Sequence, residues 1–231
     1  MASIGMIVPV TNTVNEAEWK RMAPDVRFPL VRMALHAHGD PSLYDELRKR
    51  IDELSESRPD VIAYACTAGS MVQPLDSLAS FMTGISGKPA VATAPALVHA
   101  CRAFGMKRIV LATPYHDALN DHEKHFLEEN GIEILAMKGL GIGAGGAHEY
   151  VRIAKVAPED VHAHCRSVWV PDADGMVISC TDFRTQEILP RLEAELGKPV
   201  VSSNLATLWM ALRSAGVKTR IKGYGRLLEE H

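Results

Sequence analysis

The sequence predicts an α/β protein built as two pseudo-symmetric lobes, each a mainly parallel, doubly wound sheet flanked by helices, with the functional site in the cleft between them. Three observations carry that prediction. Short apolar runs alternate with amphipathic stretches along the chain, the second half repeats anchors of the first, and each half places a Cys-Thr dipeptide at the end of an apolar run.

In chain order, IGMIVP (Ile4 to Pro9) is apolar throughout, the mark of a strand buried on both faces. DELRKRIDEL (Asp45 to Leu54) has helical amphipathicity, VIAYACT (Val61 to Thr67) is the next buried strand, and ALVHACRAF (Ala96 to Phe104) is helical. The series restarts at RIVLATP (Arg108 to Pro114). A helical stretch from Asp117 to Asn130 then stops at Gly131, a residue that takes the left-handed turn without steric cost. GLGIGAGGA (Gly139 to Ala147) reads as a loop bordering the cleft, VHAHCRSVW (Val161 to Trp169) as a helix and MVISCT (Met176 to Thr181) as a strand. Laid over one another, IGMIVP matches IVLATP, VIAYACT matches MVISCT, and Gly87 to Gly105 matches Gly197 to Gly216. This repeat divides the chain into a first lobe of residues 1–97 plus a C-terminal crossover of 206–231, and a second lobe of residues 98–205.

Composition narrows the function. The 231 residues are 47% hydrophobic and 23% charged, as in an ordinary folded domain. Lys and Arg number 25 against 28 Asp and Glu, for a net charge of −3 with no basic block, so the electrostatic footprint of a nucleic-acid binder is missing. The longest uncharged window, Pro89 to Cys101, falls well short of the roughly 20 residues that span a bilayer. MASIGMIVPV lacks the basic start of a secretion signal, and a cytoplasmic location is expected. Cys66, Cys101, Cys165 and Cys180 are scattered singly and are expected to be free thiols.

A strand-end cysteine that opens a helix receives the positive end of the helix dipole and unpaired N–H groups, both of which lower a thiol pKa. CTAGS (Cys66 to Ser70) and CTDFR (Cys180 to Arg184) both offer that context. The N–H groups at Thr67 and Ala68, with the Thr67 and Thr181 hydroxyls, would cradle a carboxylate. Because ligands of open parallel sheets sit at the carboxyl ends of the strands, the two sulfurs are expected to face each other across a small organic anion. Asn12 and Tyr115 follow the first strand of each lobe and could donate to the same ligand. Position alone fits a turn or cap for Asn12, and a rim aromatic for Tyr115, equally well. Cys101 and Cys165 lie within helical patterns and are assigned to packing.

Other motifs carry less. Gly141, Gly143 and Gly146 have GxGxxG spacing, but they sit at the second strand of the second lobe with no acidic residue closing the next strand, so no dinucleotide is expected. His36 with His38, His122 with His125 and His162 with His164 lack a third ligand at zinc-binding spacing, so no metal is expected. His122 and His125 are expected on a solvated helix face. With no phosphate-binding loop and no nucleophile elbow, the chemistry is expected to be carried by side chains without a cofactor.

Over essentially its whole length the chain resembles the aspartate/glutamate racemase superfamily, and within it the group of maleate cis-trans isomerases and arylmalonate decarboxylases. IVPVTNTVNE, YACTAGS, ATPY and the terminal GYGRLL carry the resemblance. It implies Cys66 as nucleophile and Cys180 as proton donor and acceptor, with Asn12, Thr67, Tyr115 and Thr181 holding carboxylates. His148 stands where the isomerases place an asparagine. The implied activity is cofactor-independent cis-trans isomerisation of a small dicarboxylate such as maleate, by thiolate addition, bond rotation and elimination. A two-cysteine amino-acid or hydantoin racemase is the runner-up, although Asp182 replaces the histidine usual in those racemases. Arylmalonate decarboxylases have glycine in place of the first cysteine, so Cys66 counts against that activity. Outside catalysis, a two-lobed carboxylate sensor would need neither thiol. A homodimer is the expected assembly.

Overall fold

The computed structural model describes residues 1–36 and 39–231. The first half runs β1 (Ile4–Pro9), α1 (Asn15–Met22), β2 (Leu30–Met33), α2 (Ser42–Ser55), β3 (Val61–Tyr64), α3 (Ser77–Ser86), β4 (Ala90–Ala92) and α4 (Thr93–Ala103). The second half continues with β5 (Arg108–Ala112), α5 (Asp117–Glu129), β6 (Glu133–Lys138), α6 (Pro158–Val168), β7 (Gly175–Ile178), α7 (Leu189–Leu196), β8 (Val200–Ser202), α8 (Ser203–Ser214) and α9 (Arg226–Glu230). Two four-stranded sheets result, ordered β2-β1-β3-β4 and β6-β5-β7-β8, with every strand pair parallel. The repeat read from the sequence is thus a repeat of topology.

In each sheet the winding direction reverses between the first and third strands of the lobe, which opens a crevice at their carboxyl ends. The strands flanking that crevice are the apolar runs: β1, β3 and β7 are buried at every residue, and β5 at all but Arg108. Each fully buried Ile, Val or Leu contributes about 1.5–3 kcal/mol relative to exposure. The lobes are welded by α4 and α8, which pack on each other, and α8 also lies against β3 and β4 of the first sheet. The Thr207 hydroxyl donates to that of Thr93 across this junction at 3.0 Å.

α5 ends where the glycine directs it. Gly131 takes φ +83°, its N–H reaches the carbonyl of Glu128, and the N–H of Ile132 returns to that of Leu127. Cys101 and Cys165 are buried in α4 and α6, as packing residues should be. The expected helix entries after the two strand-end cysteines are not there. Cys66 leads into a three-residue 3-10 turn (Ala68–Ser70), and the chain after Cys180 turns irregularly until α7 begins at Leu189. Pro74 and the polar spacing around Arg184 leave no apolar stripe that would sustain a helix there. No helix among the described residues is long and apolar enough to cross a membrane.

Candidate active site

The carboxyl ends of both sheets meet at a cavity of about 50 Å³. Asn12, Cys66, Thr67, Ala68, Tyr115, Cys180 and Thr181 all line it. Seven residues singled out in the sequence are therefore brought to one place. His148 is not among them. It is exposed, and the same 3-10 segment (Ala147–Lys155) turns Tyr150 and Ile153 into the wall instead.

Each sulfur is met by a phenol and a backbone N–H. Cys66 receives the N–H of Gly69 at 3.4 Å and the hydroxyl of Tyr64. Tyr64 and Cys66 are two apart along an extended segment and so share a face, a signal present in YAC that points to this pairing. Gly69 makes the approach possible, because a Cβ there would collide with the Tyr64 hydroxyl. Cys180 receives the N–H of Asp182 and the hydroxyl of Tyr115. Its backbone sits in the left-handed region at φ +88°, which costs a residue with a Cβ on the order of 1–3 kcal/mol. The N–H of Cys180 donates to Ser203 Oγ at 3.1 Å, and that oxygen lies 2.9 Å from Thr67 Oγ1. One serine at the start of α8 thereby ties the two Cys-Thr motifs together.

The expected lowering of the thiol pKa values is not what the folded site does. Burial pushes Cys66 up, opposed by the donors from Gly69 and Tyr64. Burial pushes Cys180 up to about 12, opposed by the Asp182 N–H and the Tyr115 hydroxyl and reinforced by the Asp182 carboxylate and by Cys66. Desolvation outweighs the local donors because no full helix stands behind either sulfur. Cys66 and Cys180 line the same cavity, one from each sheet.

Much of the polar lining is spent on joining the lobes. The Thr181 hydroxyl donates to the carbonyl of Ala65 at 3.1 Å and accepts from Asn12 Nδ2 at 3.0 Å. Asn12 Oδ1 accepts from the N–H groups of Val14 and Asn15, so the capping role is real, and one amide N–H of Asn12 is left over for a ligand. Asp182 lines the cavity and reaches across to the first lobe, where its Oδ1 accepts from Thr13 N–H at 2.7 Å and Val14 N–H at 3.1 Å. Burial raises its carboxyl to about 6.

The repeat extends further than the anchors noted above. The helix after the first strand of each lobe carries Asn and Glu three apart, Asn15 with Glu18 in α1 and Asn120 with Glu123 in α5, and all four side chains are buried. Glu18 accepts from the N–H groups of Thr185 and Gln186 at 2.9 and 3.0 Å and from Asn204 Nδ2 at 2.7 Å, holding the segment that follows Cys180. Glu123 accepts from the Ser179 hydroxyl alone, its Oε2 is unpartnered among the described residues, and burial raises it to about 7. The signal was present as NEAE and NDHE after prolines of matching position.

The histidines divide by place. His164 bonds the carbonyls of Thr113 and Lys138, and His162 meets Glu195 at 3.1 Å. His125 is exposed and pairs with Glu129, His122 is half-buried, and His38 lies outside the described residues. No group of three His, Cys, Asp or Glu among the described residues gathers to hold a metal ion.

The family model described as arylmalonate decarboxylase matches residues 4–228. The arylmalonate decarboxylase of Bordetella bronchiseptica is 30% identical over 99% of this chain and 97% of its own. Among solved structures, a cysteine-to-alanine variant of the maleate isomerase Iso from Pseudomonas putida, with maleate, superimposes with a TM-score of 0.90 at 25% identity, covering 99% of this chain and 97% of that one. A cysteine-to-serine variant of the Nocardia farcinica maleate cis-trans isomerase, with a covalently bound succinylcysteine intermediate, gives 0.87 at 25% identity, covering 100% of this chain and 99% of that one.

Proposed function

The chain belongs to the arylmalonate decarboxylase family, and from that premise we propose that it is a cis-trans isomerase of a small dicarboxylate of the maleate type, working through Cys66 and Cys180. The observation that carries this reading is the arrival of two cysteines, one from each sheet, at a single small cavity, each with a phenol hydroxyl on its sulfur.

The chemistry follows from the geometry. A carbon–carbon double bond does not rotate, whereas a soft thiolate adds to an alkene activated by carboxylates. Cys66 attacks one alkene carbon through its sulfur, and the electron pair displaced onto the neighbouring carbon takes the proton of the Cys180 thiol. The thioether now has a single bond that turns. Cys180 as thiolate then removes the proton, the double bond re-forms as the trans isomer, and Cys66 leaves with its electron pair. The Tyr64 hydroxyl and Gly69 N–H favour the thiolate of Cys66 before attack and after departure. High acidity is not needed at Cys180, whose raised pKa suits a group that starts protonated. The free Asn12 N–H and the backbone around Thr67, Ala68 and Thr181 hold the carboxylate on which charge accumulates during addition. The succinylcysteine seen in the Nocardia farcinica relative supports a thioether of this kind.

The test is direct. Purified protein given maleate should produce fumarate, and quenched samples should carry a succinyl adduct on Cys66 by mass spectrometry. Neither product nor adduct would overturn the reading. Decarboxylation of an arylmalonate is the second reading, favoured by the 30% identity to a decarboxylase. Carbon dioxide release from phenylmalonate without maleate turnover would select it. The isomerase reading also assigns the protein to the cytoplasm, where its four free thiols stay reduced, and to a homodimer, the commonest closed assembly.

A further inference from the structure

The glycine-rich segment and the 3-10 helix after it fold into a unit with one product, the position of Tyr150. Glu149 accepts from the N–H groups of Gly143 at 2.9 Å and Gly145 at 3.2 Å, turning the segment back on itself. Gly143 takes φ +101°, and a Cβ on it would fall against the Tyr150 ring, so the ring rests directly on the glycine backbone. In a 3-10 helix residues three apart share a face, which brings Ile153 into the cavity wall beside Tyr150. His148, off that face, is exposed.

The cavity needs what Tyr150 offers. Among the described residues no lysine, arginine or histidine lines it, and Leu35, Leu119 and Ile153 give a second carboxylate nothing to bind. The Tyr115 hydroxyl is engaged on Cys180, and that of Thr181 on Ala65. The Tyr150 hydroxyl makes no hydrogen bond to the described residues, and Tyr150 lines the same cavity as both cysteines.

We propose that Tyr150, seated on Gly143, determines substrate choice: its hydroxyl donates to the second carboxylate of a four-carbon cis-diacid, while its ring closes the cavity to aryl and long alkyl substituents. The choice of a cis-diacid rests on the isomerase reading above. A phenol gives a carboxylate one charge-assisted hydrogen bond, and losing it weakens binding about 10- to 100-fold.

Binding of non-reacting acids separates this proposal from the reaction. Succinate (a diacid), butyrate (its monoacid counterpart) and phenylmalonate are titrated calorimetrically into the wild type, Tyr150→Phe, Tyr150→Ala and Gly143→Ala, alongside maleate turnover. Tyr150→Phe should lose about 10- to 100-fold for succinate and leave butyrate unchanged. Tyr150→Ala should bind phenylmalonate more tightly than the wild type does. Gly143→Ala, which keeps the phenol but pushes it off its seat, should lose the preference for succinate over butyrate. An unchanged succinate-to-butyrate ratio in Tyr150→Phe would overturn the proposal. If the wild type fails to turn over maleate, the isomerase reading falls, and the succinate-to-butyrate ratio still decides the role of Tyr150.

Discussion

The two strand ends that face the cavity are equivalents in the repeat and differ in three ways. Cys66 has an ordinary backbone, whereas Cys180 is held at φ +88°. Cys66 has no carboxylate beside it, whereas Asp182 adjoins Cys180 and disfavours its thiolate. The helix glutamates differ too: Glu18 is bonded by four donors, and Glu123, behind the residue preceding Cys180, by one. Duplication supplied two thiols, and divergence gave them different proton preferences. That difference is what an addition mechanism requires, since one sulfur must attack as the anion while the other arrives protonated.

The sharpest way to break this comparison is to remove the thiols one at a time. Cys66→Ser and Cys180→Ser should each lower turnover by at least about 10³-fold, but only Cys180→Ser should still form an adduct with maleate, on Cys66. An adduct on Cys180 in Cys66→Ser would reverse the assigned roles.

The two glutamates come next. Glu123 binds its proton more tightly folded, at about 7, than the 4.5 of an ordinary glutamate, so stability should fall as pH rises from 4.5 through 7 and level off above. Glu123→Gln removes that penalty and should gain up to about 3 kcal/mol at pH 8 with little change at pH 4, read by denaturant melts. Glu18→Gln should instead lose about 1–3 kcal/mol, because an amide NH2 would face donors. Equal responses would erase the distinction between the lobes.

The phenols test the proton preferences themselves. With burial holding Cys66 above the ordinary thiol range, turnover should rise from pH 7 to pH 9 as the thiolate fraction grows. Tyr64→Phe should slow turnover about 10- to 100-fold and move alkylation of Cys66 to higher pH. Tyr115→Phe should leave the alkylation profile of Cys66 in place. The smallest effect is in the backbone. Cys180→Gly relieves a left-handed residue and should be more stable than Cys66→Gly by about 1–2 kcal/mol, by thermal melts at a pH where both thiols are protonated.

Much of the site was legible because its residues follow apolar runs. Pro9 ends β1, Cys66 and Cys180 lie two residues beyond β3 and β7, and Tyr115 lies three beyond β5, and in a parallel sheet strand ends converge on the ligand. Tyr64, Glu18 and Glu123 were legible in principle, as a period-two neighbour and as a repeated Asn-x-x-Glu, but buried polar groups are indistinguishable from surface ones until burial is known. Tyr150 was not legible: the same segment offered His148, and only the 3-10 geometry on Gly143 decides which side chain turns inward.

By itself, the order of residues determined the two-lobe architecture and the pairing of Cys66 with Cys180, because periodicity and repetition are properties of the linear chain. Tertiary structure alone decided how acidic each thiol is, which hydroxyls are consumed in joining the lobes and which remain for a ligand. Those depend on desolvation and on contacts between residues far apart in sequence, such as Thr67 with Ser203 and Asp182 with Thr13, and local pattern holds no record of either.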